Sequence, residues 1–254
     1  MAYKQKKYIF PNAIEIEQYH TAKYGAPGQS RMKKKKPTPE QIEKINQYNK
    51  EKTCRHKLRM HFNVHDYFVT LTYVKDKRPE NMQQAKQHFR EFIRYLRREY
   101  RKRGAELKWI RNIECGSKGA WHVHMVINRI EGTDMILAAG WDHGHVKNVL
   151  LYEKDEFKDL AAYMTKTPKT DNRLKESSYS ASRNLPVPEP EVKIYRRFNT
   201  WKEEPPIPEG WYLQKESLFE GENPVTGYKY RVYTLLRSKR KNGRIKDESI
   251  QYNG

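Results

Sequence analysis

A chain of 254 residues carrying a formal net charge of +20 and only 36% hydrophobic residues can bury a core, but a small one for its length. Its positive surplus attracts polyphosphates from a distance, which makes nucleic acid the leading partner. No apolar run nears the ~20 residues of a spanning helix and no signal-peptide core follows the start, so a membrane role is excluded and a cytoplasmic location expected; Cys54 and Cys115, outside any C-x-x-C pair, exclude a disulfide framework and read as reduced thiols.

Residues 1–60 are polar and basic, with the run Lys33 to Lys36 closed by Pro37, and are expected to form a flexible extension that orders on a partner. Inside it, Thr38 and Pro39 give a cap and first-turn signal for a helix reaching about Glu51. Tyr67 to Tyr73, YFVTLTY, alternates as a half-buried strand does, with Thr70 and Thr72 on its polar face. From Pro79 to Arg103, Met82, Ala85, Phe89, Ile93, Leu96 and Tyr100 recur at helical spacing, and Gly104 supplies a stop. The solvent face of that helix is rich in Arg and Lys.

Leu107 to Glu114 reads as a second strand, followed by a turn through Gly116 and Gly119 into GAWHVHMVIN, Gly119 to Asn128. There His122 and His124 project to one face, roughly 7 Å apart, and can share a metal ion, while Trp121, Val123, Met125 and Ile127 make the other face apolar. Setting Glu114 opposite His122 puts Asn112 opposite His124 and collects Leu107, Trp109 and Ile113 with the apolar set. A slip of one residue would mix the two sets, so the pattern selects this register.

A short helix over Thr133 to Ala139, a strand over Gly144 to Leu151 and a helix over Glu153 to Thr167 follow. Phe157, Leu160, Ala161 and Met164 form the apolar stripe of the last helix, and Tyr163 and Lys166, three residues apart, share another face of it. A phenol with a pKa near 10 is a weak nucleophile at neutral pH unless a cation favours its ionised form. The order strand, helix, strand, strand, helix, strand predicts an α+β fold, a ferredoxin-like or RRM-like antiparallel sheet with helices on one face. Beyond Pro168 the chain is polar and proline-rich, until Trp211 to Phe219 and Tyr228 to Leu236 flank the turn Asn223 to Gly227 as a C-terminal β-hairpin. The expected division is therefore 1–60, 61–185 and 186–254.

The ordered set FVTLTY, WHVHMVIN and AAYMTK resembles motifs one, two and three of the HUH superfamily of single-strand endonucleases, specifically the rolling-circle replication initiators. YSASRNL, Tyr179 to Leu185, resembles a segment of replication-associated Rep proteins of bacterial plasmids, integrative elements and small phages. Together these cover about Tyr67 to Leu185. The resemblance implies the HUH endonuclease fold, with His122, His124 and Glu114 as ligands of a divalent Mn²⁺ or Mg²⁺ ion. Tyr163 is the implied nucleophile, and Lys166 the lysine of a Y-x-x-K motif that orients DNA or the metal-bound phosphate. Thr70, Thr72 and Arg183 are the implied DNA contacts.

The implied activity is nicking and strand transfer through a 5′-phosphotyrosine at a single-stranded or hairpin origin. The motif carries one tyrosine where some branches carry two, with Tyr152 and Tyr179 as candidate substitutes. His143 and His145, outside the motifs, read as surface or DNA-proximal residues. No P-loop is present, so a host helicase and polymerase are the implied partners in the cytoplasm of a bacterial host. The rival readings are a relaxase or single-tyrosine transposase, and a non-catalytic origin or RNA binder that keeps the fold and the charge.

Overall fold

A computed structural model describes residues 2–20, 36–116, 119–151, 157–166, 179–198, 200–223, 227–238, 240–241 and 244–245. In chain order, β1 (Tyr3–Ile9) and β2 (Ala13–His20) precede α1 (Pro39–His61), β3 (Tyr67–Thr72) and α2 (Met82–Lys102). Next come β4 (Trp109–Cys115), β5 (Trp121–Ile127), α3 (Thr133–Gly140), β6 (Val146–Leu150), α4 (Lys158–Thr165) and β7 (Tyr179–Ala181). β8 (Glu191–Tyr195), β9 (Trp211–Glu222), β10 (Lys229–Arg237), β11 (Arg240–Lys241) and β12 (Arg244–Ile245) complete the described elements. The chain is α+β and divides into two units, Asn46–Val187 and a unit made from both chain ends, Met1–Ile45 with Pro188–Gly254.

The Asn46–Val187 unit is built on the antiparallel sheet β6-β3-β5-β4-β7. Its first four strands have the order of a split βαβ arrangement, as the strand and helix sequence predicts. The expected register holds: Glu114 faces His122, Asn112 faces His124, and β3 sets Thr72 and Thr70 on the other side of the same two histidines. The β4–β5 turn is closed by Gly116 N–H donating to the Ala120 carbonyl at 2.8 Å, with Gly119 at φ +69°, a left-handed conformation that a glycine adopts without strain.

Odd-numbered residues of the central strands, among them Val69, Leu71, Ile113, Val123, Met125 and Ile127, pack with α2 and α3 in the larger core. α2 begins where predicted, with the Asn81 side chain accepting from Gln84 N–H, and Gly104 follows its end at φ +68°. One polar residue breaks the apolar face. Arg111 is buried there over the Phe89 ring, 5.2 Å from its centroid, and desolvation pulls its guanidinium down to about 10.

Helices were expected on one face only, and here the structure corrects the reading. A second core of Cys54, Leu58, Phe62, Ile110, Val126, Phe157, Ala161, Met164 and Leu185, with Phe68 and Ala181 against it, covers part of the histidine face. Phe68, Ile110 and Val126 share the face of the histidines because they sit whole pleats along the same strands. They recruit α4 and the C-terminal part of α1. α1 accordingly runs on to His61, ten residues past the expected end, since Cys54 and Leu58 carry a buried stripe through a basic sequence.

The 1–60 segment is likewise not a flexible extension throughout, because β1, β2 and α1 lie within it. β1 and β2 belong to a second antiparallel sheet, β8-β1-β2-β10-β9, in which Ile14 and Ile16 are buried with Tyr233 and Leu235. The predicted C-terminal hairpin is β9 and β10 of this sheet rather than a free-standing accessory. Arg231, with no exposed surface, is held there by Nε donating to Gln18 Oε1 at 2.9 Å and Nη1 donating to the Glu203 carbonyl at 2.7 Å.

Candidate active site

Pleating sorts the histidine face into rows. Lys147, Thr70, His124, Asn112 and Tyr179 stand abreast on β6, β3, β5, β4 and β7, and Thr72, His122 and Glu114 form the next row. On the other side of the His124 row lie Phe68, Val126, Ile110 and Ala181, under the second core. The face is thus apolar and covered at one end and polar at the other, and His124 stands at the boundary.

His124 is fixed from several sides. Its Nδ1 lies 3.4 Å from Thr70 Oγ1, its Nε2 lies 3.5 Å from Glu114 Oε2, and its ring stacks on Phe68 with centroids 5.8 Å apart. Asn112, fully buried, donates from Nδ2 to Glu114 Oε1 at 3.3 Å and so holds the carboxylate from behind. The ring of His122 is 6.2 Å from that of His124, nearly parallel to it.

α4 brings Tyr163 to this group. Ala161 and Met164 are fully buried against the sheet, which rotates Tyr163 to the helix flank, 38% exposed, with its ring edge-on to His124 at 5.3 Å and to Phe68 at 6.1 Å. The C-terminal end of α4 is tied down by α1: Lys50 Nζ donates to the Thr165 carbonyl at 3.0 Å, satisfying a helix-end acceptor with a cation. Lys166 is not on the helix with Tyr163, as the spacing suggested. It is the residue after the last turn, with extended backbone, and its charge acts on Glu114.

The electrostatics differ from the expectation of a cation beside the phenol. Burial and then the Glu114 carboxylate push the Tyr163 pKa up to about 12, so the hydroxyl is protonated at neutral pH. Glu114 itself is held below the usual carboxylate range by its hydrogen bond to His124 and by the charges of His124, Lys166 and His122. His122 is lowered, chiefly by burial and next by His124, and is therefore neutral at pH 7 with a lone pair to give.

In kind, these donors suit a divalent cation: two imidazoles, one of them held neutral, and a carboxylate held ionised, all on one sheet face. They are not drawn round a common point, since Glu114 and His124 face each other directly. Among the described residues no three His, Cys, Asp or Glu side chains form such a cluster.

Other predicted residues fall in different places. Thr72 Oγ1 donates to the His145 carbonyl at 3.3 Å and ties β3 to the approach of β6, while His145 itself is exposed. Arg183 is exposed beyond β7, at the Trp109 end of β4 rather than the Glu114 end. Tyr179 is a core residue hydrogen-bonded to the Cys54 thiol, and burial raises its pKa well above the usual tyrosine value, so it is no second nucleophile. Tyr152 lies outside the described residues. His143 is on the α2 side, its ring stacked on His88 with centroids 4.0 Å apart. Phe68, Asn112 and Lys50 were assigned no role from sequence; Phe68 and Asn112 carried the signal of an even position on a histidine-facing strand, whereas nothing local marks Lys50.

An antiparallel α+β sheet whose histidine row meets a helix-borne tyrosine defines the structural class. Residues 66–168 match the family model of the replication-associated proteins of the ORF2 and gene-II-protein type, and through that segment the chain is a Rep-type replication-associated protein. The matched stretch runs from the residue before β3 to just past Lys166, and so contains Glu114, His122, His124 and Tyr163 but not Arg183. No curated protein and no solved structure matches the chain.

Proposed function

We propose that the Asn46–Val187 unit is a metal-dependent single-strand DNA endonuclease and strand transferase of the HUH type, which initiates rolling-circle replication. The observation that carries this reading is the Tyr163 ring lying 5.3 Å from His124, on the face that also holds His122 and Glu114. The Tyr163 hydroxyl attacks a backbone phosphorus in line and loses its proton to solvent. The bond to the 3′-oxygen breaks, that oxygen takes a proton from water, and a 5′-phosphotyrosine and a free 3′-hydroxyl remain.

The covalent bond retains the phosphodiester energy, so the reverse attack by a 3′-hydroxyl rejoins ends without a nucleotide cofactor, and the free hydroxyl primes synthesis. Glu114, His122 and His124 would hold a Mn²⁺ or Mg²⁺ ion, and that ion when bound supplies positive charge to the scissile phosphate. The phenol, at about 12, needs such a neighbour because its present surroundings favour the proton. Thr70 and Phe68 orient His124, and Lys166 stands where a phosphate beside Glu114 would meet its ammonium. Since the sequence has no P-loop, a host helicase and polymerase in the bacterial cytoplasm complete the process.

The test uses a labelled pool of random-sequence single-stranded DNA with Mn²⁺, read as a covalent protein–DNA adduct that survives denaturing electrophoresis. The wild-type chain forms the adduct, and Tyr163→Phe does not. An adduct formed by Tyr163→Phe at the normal rate overturns the assignment of the nucleophile.

A further inference from the structure

The described surface of the Asn46–Val187 unit carries a second feature suited to nucleic acid, on the sheet face away from Tyr163. Arg90, Arg94, Arg97 and Arg101 on α2 are all exposed. Separated by four, three and four residues, they fall within an arc of roughly 60° and rise over about 16 Å of helix. The buried side of α2, from Met82 through Phe89 and Leu96 to Tyr100, packs on the core opposite the histidine row. The ridge therefore cannot serve a strand lying over Tyr163.

These four guanidiniums are unspent. None of them makes an ion pair or hydrogen bond in the described structure, whereas the nearby acid Glu99 is taken by Arg98, Lys102 and Arg103, and Glu91 accepts from Gln87. Four like charges in a line repel one another along a helix at a cost of a few tenths of a kcal/mol per i,i+4 pair. Such an array is relieved by a line of negative charge.

The kind of nucleic acid follows from what the ridge lacks. Binders of single strands combine positive charge with aromatic rings on which bases stack. Here Phe89, Phe92 and Tyr100 are buried, and the one nearby ring at the surface, Tyr95, is capped by Arg98 at 5.4 Å. A straight, rigid row of arginines without stacking rings suits a duplex backbone, whose phosphates are regular and whose bases are already stacked. We infer that the Arg90–Arg94–Arg97–Arg101 ridge of α2 binds the phosphate backbone of double-stranded DNA, such as an origin stem or flank, while the opposite face handles the single strand. This inference rests on the reading of the chain as a DNA-cleaving initiator.

The test compares the full-length chain with a quadruple Arg→Gln variant at positions 90, 94, 97 and 101, and with a quadruple Arg→Lys variant. Fluorescence anisotropy measures binding to a 20-base-pair duplex and to a 20-nucleotide single strand between 50 and 200 mM salt, and the adduct assay is run alongside. For four phosphate contacts, the slope of log K against log salt on duplex becomes shallower by about 3.6 in the Gln variant, at roughly 0.9 per contact. The Lys variant keeps the wild-type slope, and adduct yield on short single strands is the same in all three proteins. A duplex slope unchanged by the Gln substitutions, or an equal loss on duplex and single strand, overturns the inference. Duplex binding that falls as expected in a protein that never forms an adduct would leave the ridge standing and refute the proposed function.

Discussion

Met164→Ala tests whether the second core sets the position of the candidate nucleophile. Met164 is fully buried, next in sequence to Tyr163, and lies in a cluster with Cys54, Leu58, Ile110, Val126 and Ala161. Removing its three distal heavy atoms leaves a cavity between α4, α1 and the sheet, and Met→Ala changes at such sites cost about 2–5 kcal/mol. We take about 3 kcal/mol, which for a unit of this size lowers the melting temperature by roughly 6–12 °C. Lys158→Ala, on the exposed side of the same helix, serves as the control and should stay within about 0.5 kcal/mol of wild type. Guanidinium unfolding followed by circular dichroism gives the first number, and adduct yield at 15 °C, where both variants remain folded, tells whether Tyr163 has lost its place beside His124. A Met164→Ala protein as stable as wild type would refute the view that α4 is clamped to the histidine face.

Thr70→Val removes the hydroxyl 3.4 Å from His124 Nδ1, and on the proposed function it weakens Mn²⁺ binding by about 10–100-fold, measured by titration calorimetry, with the fold retained. Gly144→Ala would drive a Cβ into the backbone carbonyl of Thr72, which has little room to yield, so a loss of about 1–3 kcal/mol in a denaturant melt is expected. In alkaline titration followed by phenolate absorbance, Tyr163, Tyr100 and Tyr233 ionise late, near 12, and Tyr163→Phe removes part of the late phase. Because their folded pKa values are raised above the ordinary value near 10, their neutral forms contribute stability that is full below pH 10 and is lost as pH climbs through 12. Stability that holds constant from pH 10 to 12 would contradict this.

The histidine face was legible because its signal is local. The alternation of WHVHMVI against WIRNIEC leaves one register that keeps Ile113 and Val123 in the core, and Glu114 faces His122 in that register. The helix carrying Tyr163 was legible for the same reason, through Phe157, Ala161 and Met164 at helical spacing. What escaped depends on distant pairing. β1 and β2 look like a charged lead-in because YKQKKYI exposes its lysines, and their burial is supplied by β8 and β10, about 190 to 220 residues downstream. Coverage of the histidine face by α1 escaped as well, since Cys54 and Leu58 form a narrow stripe among basic residues and their partners Ile110 and Val126 lie on other strands. Arg111 was missed because an inward arginine contradicts the pattern, and the Phe89 ring that accommodates it is invisible to strand periodicity.

The sheet order β8-β1-β2-β10-β9 also has a consequence in time. β2 leaves the ribosome early, yet its neighbour β10 begins at Lys229, and at 5–20 residues per second the interval is about ten to forty seconds. Throughout that interval the β1–β2 pair has an unfilled edge, while every strand of the Asn46–Val187 unit is made before β10 begins. The segment bearing Tyr163 is therefore free to fold before the unit that joins the two chain ends can close. A message cut short before β10 would release a chain with its candidate cleavage machinery complete and its other sheet unfinished.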